Sequence, residues 1–136
     1  MIKILPSTIN LPLKKGDLFS SIAISSAIEE EDEKKIIAGL NVFHDWGLVA
    51  DHEYIRPKQW GYLAGDDLSR FSNLHSKRQP SLITFIRGGW GAARLLEHPQ
   101  PWKKGWMLGF SDTTSILLSR LAAGFDGCIH GPMITS

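Results

Sequence analysis

Cysteine occurs once in these 136 residues, at Cys128, so the chain can form no internal disulfide. The N-terminal stretch Met1-Ile2-Lys3-Ile4-Leu5-Pro6 holds no apolar core of the length a signal peptide or a membrane span needs. A reducing, cytoplasmic setting is the expectation, with no membrane as partner. Charge of one sign is also missing. Fifteen Lys and Arg against fourteen Asp and Glu leave a formal charge of +1, which provides neither the basic stripe that nucleic acid would require nor an acidic tail. No group of His, Cys, Asp or Glu has the spacing of metal ligands, and no internal repeat or low-complexity segment is present. What remains is ordinary globular composition, 43% hydrophobic and 21% charged, enough for one domain with a real core.

Periodicity organises that domain. Residues 1–15 carry two prolines and no pattern, and read as a lead-in arm ending at the turn signal Lys15-Gly16-Asp17; the domain proper spans 16–136. Leu18 to Ser25 contains Ile22-Ala23-Ile24, a short buried-strand run ended by Ser25 and Ser26, and predicts a first strand. From Glu29 to Trp46, apolar residues Ile36, Ile37, Leu40, Phe43 and Trp46 recur at helical spacing, acids crowd the start, and Gly47 stops the run. Leu48-Val49-Ala50 predicts a second strand, and a helix with Leu68, Phe71 and Leu74 along one side follows. Ser81–Ile86 is the third strand, Trp90–Leu96 a short helix, Trp106–Phe110 the fourth strand, Thr113–Ala123 a helix and Asp126–Ile129 a fifth strand. Such alternation implies a three-layer α/β sandwich: a mainly parallel sheet with helices on both faces. Ligands in such sheets gather at the carboxyl ends of the strands.

Two of those strand ends carry chemistry. In Trp106-Met107-Leu108-Gly109-Phe110-Ser111-Asp112-Thr113-Thr114 a strand stops at a serine and a helix begins at once. A serine on such a turn has its hydroxyl lifted clear of the sheet, and the unpaired N–H groups of the new helix can hold an oxyanion. The same pattern also suits a helix-capping serine. The third strand runs into Arg87-Gly88-Gly89-Trp90-Gly91, where the glycines permit close backbone approach to a ligand, or simply a tight turn. Neither a full G-x-G-x-x-G nor a following Lys-Ser or Lys-Thr pair is present, which speaks against phosphate binding.

These residues, taken with others along the chain, resemble the LD-carboxypeptidases, serine peptidases that trim murein tetrapeptides, and their relatives the microcin C immunity peptidases. Leu13-Lys14-Lys15-Gly16-Asp17 is similar to the family's opening, and Tyr62-Leu63-Ala64-Gly65-Asp66-Asp67 with Arg70 to the loop before its second helix. Arg87-Gly88-Gly89-Trp90-Gly91 with Arg94-Leu95-Leu96 resembles its glycine loop, Gly109-Phe110-Ser111-Asp112 its nucleophile turn, and His130-Gly131-Pro132-Met133 the segment closing its N-terminal domain. The resemblance implies a class I glutamine amidotransferase-like (flavodoxin-like) fold, Ser111 as nucleophile, and an oxyanion hole made by the N–H of Asp112 with that of Gly88 or Gly89. It implies no cofactor and a murein peptide as substrate. The glutamate and histidine that complete the family's triad come from a C-terminal domain that would follow Ser136, so the chain is expected to be inactive alone and to hide apolar surface by self-association, as a homodimer or larger species. A microcin-type substrate, a peptidyl or acyl-sulfamoyl adenylate, and a non-catalytic binding module are the alternatives.

The remaining candidates stay open at this point. Arg87 and Asp112 could hold the substrate's termini or pair within the fold, and Trp90 could be a platform for the peptide or an anchor for its loop. Trp60, Trp102 and Trp106 are expected to pack. His130, before Gly-Pro at a strand end, reads as structural rather than as a catalytic base, and Cys128 as inert filling in an apolar strand.

Overall fold

The computed structural model describes residues 10–78 and 80–136; residues 1–9 of the expected arm lie outside the described residues. Five strands, β1 (Leu18–Ile22), β2 (Val49–Ala50), β3 (Leu82–Phe85), β4 (Trp106–Gly109) and β5 (Cys128–His130), form one sheet in the order β2-β1-β3-β4-β5, every neighbouring pair parallel. This is the flavodoxin-like order, whose switch point lies between β1 and β3.

Three helices, α1 (Glu33–Asp45), α2 (Asp67–Leu74) and α3 (Thr114–Ala122), cover the sheet. Successive strand residues point to opposite faces, so each strand feeds two cores. Phe19, Leu82 and Leu108 join Ile36 and Phe43 of α1, while Ile22, Phe85 and Met107 join Leu74 of α2 and Ile116 and Leu117 of α3. The sandwich is therefore three-layered, as the alternation of elements implies. Asn10 to Lys15 runs past the amino ends of the strands, where the Trp106 indole donates to Leu11 O at 2.9 Å and Gly16 N–H to Gly47 O at 2.8 Å.

Several local expectations need correction. The first strand ends at Ile22, because Ala23–Ser25 turn inward as a buried loop instead of continuing the ladder. The short helix expected over Trp90–Leu96 is a 3-10 helix over Ala92–Glu97, and another 3-10 turn, Glu30–Asp32, precedes α1. Ile37 and Leu68, expected on buried helix faces, are 58% and 75% exposed. On α2 the inner position goes to Arg70 instead. Trp60, expected to pack, is 53% exposed.

Candidate active site

Because all five strands are parallel, the loops after β1, β3, β4 and β5 gather at one edge of the sheet. Ser111 stands there at the end of β4, exposed, with φ of 55°; among the described residues it is the one non-glycine residue with positive φ. Left-handed backbone at a serine is uncommon and costs about 1–2 kcal/mol, so the surrounding structure must impose it. Thr113 supplies the fastening. Its buried hydroxyl accepts from Phe110 N–H at 2.9 Å and donates to Phe110 O at 2.8 Å, closing the turn that leads through Ser111–Thr113 into α3. The polar turn chemistry visible in Ser-Asp-Thr is thus performed by the threonine. Among the described residues the Ser111 hydroxyl caps no helix.

The glycine loop lies against this turn. A Cβ added to Gly88 would lie 3.1 Å from both Cβ and Oγ of Ser111, and 3.4 Å from the sulfur of Met133. Gly89 has φ of +107° and Gly91 of +103°, conformations that other residues resist. The two loops picked out in the sequence are therefore in contact, with Gly88 buried and Gly89 exposed.

Charged neighbours are engaged within the fold. Asp112 accepts Ala92 N–H at 2.9 Å through one carboxylate oxygen, pinning the start of the 3-10 helix to the Ser111 turn. Arg87 donates to Ala27 O at 3.0 Å and lies 3.4 Å from the Asp32 carboxylate, with its side chain 31% exposed. Trp90 stands out at 73% exposure beside the loop. His130, at the end of β5, places its ring 5.1 Å from that of Phe110.

Arg70 is a supporting residue whose role no sequence pattern revealed. Fully buried, it donates to Gly65 O, Ile24 O and Gly91 O at 2.8–3.0 Å and to Asp67, joining three of the loops at this edge. Asp67 is shared with Arg94, whose hydrogen bonds hold its carboxyl below the usual carboxylate range. Arginine in Gly-Asp-Asp-Leu-Ser-Arg was the available signal, but only the fold shows it pointing inward.

Residues 20–131 match the family model described as the LD-carboxypeptidase N-terminal domain. The chain belongs to the LD-carboxypeptidase family. It is 37% identical over 133 residues to a Synechocystis sp. protein named as a carboxypeptidase, covering 93% of this chain and 43% of that protein. Among solved structures, the microcin C7 self immunity protein MccF in complex with aspartyl sulfamoyl adenosine superposes with a TM-score of 0.78 at 19% identity, covering 93% of this chain and 40% of that one. The muramoyltetrapeptide carboxypeptidase from Oxalobacter formigenes gives 0.63 at 21% identity, over 86% of this chain and 41% of its own. At these identities the structural likeness concerns the fold. The chain spans about two fifths of the length of the relatives it matches.

Proposed function

We propose that this chain is the nucleophile-bearing part of a serine LD-carboxypeptidase that hydrolyses the L,D-peptide bond to the terminal D-alanine of murein tetrapeptides, in peptidoglycan recycling. The observation that carries the reading is the backbone of Ser111: a strained serine at a strand-to-helix turn, its hydroxyl in no hydrogen bond among the described residues, in contact with a glycine loop. Strain of this kind persists where function requires it.

In the proposed reaction the Ser111 hydroxyl attacks the carbonyl carbon between an L-centre and D-alanine. The tetrahedral oxyanion is held by the Asp112 N–H at the start of the helical turn and by a glycine-loop N–H. Collapse expels D-alanine and leaves an acyl-enzyme, which water hydrolyses to the trimmed peptide. Gly89 is the favoured donor of the two glycines. Gly88 O accepts from Ser26 N–H at 3.2 Å on the β1 side of the loop, and in a planar trans peptide the following N–H points the opposite way, toward the β4 side where Ser111 stands. Arg87 and Trp90 flank the cleft as substrate contacts, and Asp112 adds its free carboxylate oxygen. No cofactor takes part in this chemistry.

A serine hydroxyl needs a base and an orienter for that base. We assign both to the portion of the relatives that these residues do not span, so the 136-residue chain alone should release no D-alanine. The test is a chimera in which this chain replaces the matching portion of its Synechocystis relative, assayed for D-alanine release from murein tetrapeptide. Turnover on the order of 1–1,000 per second is expected, and Ser111→Ala should remove it by about a million-fold. Undiminished release by S111A would overturn the assignment.

A further inference from the structure

Around Gly89 the glycine loop is gripped by Ser26 on the side away from Ser111, while Arg70 holds Gly91 O further along. Ser26, in the loop that follows β1, donates its N–H to Gly88 O at 3.2 Å and accepts Trp90 N–H on its hydroxyl at 3.0 Å. Between these two anchors lies Gly89, packed so closely that a Cβ there would come 2.0 Å from Ser26 Oγ and 2.6 Å from Ser26 Cβ. The strand order β1-β3-β4 puts Ser26 and Ser111 on opposite flanks of the loop.

Peptide geometry turns this grip into a direction. With every described peptide bond trans, Gly88 O and Trp90 N–H both face Ser26, so the Gly89 N–H between them faces the other flank. A segment with glycines at 88, 89 and 91 has little intrinsic preference for that orientation, since glycine tolerates either sign of φ. Something outside the loop must choose it. Two anchors, one on each of the peptides that flank the Gly89 Cα, are sufficient.

We propose that Ser26 is a positioning residue, whose N–H and hydroxyl hold the loop on both sides of Gly89 and keep the Gly89 N–H aimed at the Ser111 side. The inference rests on the reading of Ser111 as nucleophile. Ser26 touches no reacting atom; it acts through the loop. It also explains why position 89 has no side chain, because Ser26 occupies the space that one would fill. Loss of the hydroxyl leaves Trp90 N–H to water, at a solvent-accessible position, and releases the 89–90 peptide, so that the Ser26 N–H on Gly88 O alone must hold the peptide that carries the Gly89 N–H.

The experiment compares Ser26→Ala, Ser26→Thr and Ser111→Ala in the chimera described above. S26A should lower kcat by about 10- to 100-fold, as small misplacements of reacting groups do, with KM and the thermal midpoint unchanged. Affinity for an aldehyde analogue of the tetrahedral state should fall by the same factor as kcat/KM, and affinity for an uncleavable substrate analogue should hold. S26T keeps the hydroxyl and should stay within about threefold of the parent, a small part of the loss expected for misplacement. In the 136-residue chain itself, hydrogen exchange at Trp90 N–H should accelerate in S26A. Parent-like kcat in S26A, an S26T as slow as S26A, or equal loss of both ligands would overturn the positioning role while leaving the nucleophile in place. Release that survives S111A instead removes the nucleophile reading, and this inference with it.

Discussion

Ser111 holds its backbone at φ 55°, and the sequence offers no glycine there to make that conformation easy. Ser111→Gly should therefore stabilise the chain by up to about 1 kcal/mol, since relief of the left-handed strain outweighs the extra entropy of glycine in the unfolded state. A urea midpoint of the variant at or below that of the parent would show that the strain is not relieved. The variant should also be inactive in the chimera, so stability and activity would move in opposite directions at one atom group. Neighbouring residues divide the labour: Thr113 closes the turn, Asp112 ties it to Ala92, and Ser26 steadies the facing loop. None of these uses the Ser111 hydroxyl.

Among the elements, α2 brings the most charge to the site's support. Asp66 caps it by accepting Ser69 N–H at 2.7 Å, which holds its carboxyl below the usual range, and Arg70 carries its inner face to three loop carbonyls. His75, which follows it as the C-cap, has a different role. The ring nitrogen Nε2 lies 2.6 Å from Gln100 Oε1, while the Gln100 amide donates to Leu95 O and His98 O, so Nε2 is the donor and the neutral ring fits the site. Burial pushes the His75 imidazole below its ordinary 6.5. The unfolded chain thus binds more protons near and below that pH, and the contribution is complete above 6.5 and lost as pH falls toward the folded value. His75→Asn should flatten the fall in thermal midpoint between about pH 7 and pH 5, the range in which an unperturbed imidazole charges. Equal slopes for parent and variant would count against this. Asp66 and Asp67, lowered from 3.8, act only in the more acid range and do not blur the comparison.

At the scale of the whole molecule, apolar side chains stand exposed among the described residues. Outward on α3, Leu118 is 60% and Leu121 55% exposed, and β5, at the edge of the sheet, leaves Ile129 41% exposed. Exposed strand edges and clustered apolar side chains favour association. We expect the isolated chain to form dimers or larger species at micromolar concentration, and Leu118→Lys with Leu121→Lys to shift it toward monomer. Sedimentation of the parent as a 15.1 kDa monomer, with no binding of a hydrophobic dye, would defeat the expectation.

Local periodicity in the amino-acid sequence determined the alternation of strand and helix, the positions of β3, β4 and α1, and the turns at Gly88 and Ser111. These are readable because a strand repeats every two residues and a helix every 3.6, whatever lies beyond them. Periodicity says which face is apolar, not what meets it. Ile37 and Leu68 match helical stripes yet face solvent, while Arg70 breaks its stripe and is buried, because the carbonyls that solvate its guanidinium come from loops 5, 21 and 46 residues away along the chain. The sign of φ at Ser111 was likewise decided by the Thr113 clasp and the packing of β4 against α3, and the aim of the glycine loop by Ser26, which lies 64 residues before Trp90. Only when β1, β3 and β4 stand side by side does a hydroxyl after one strand reach an amide after another, so the site's precision belongs to the tertiary structure.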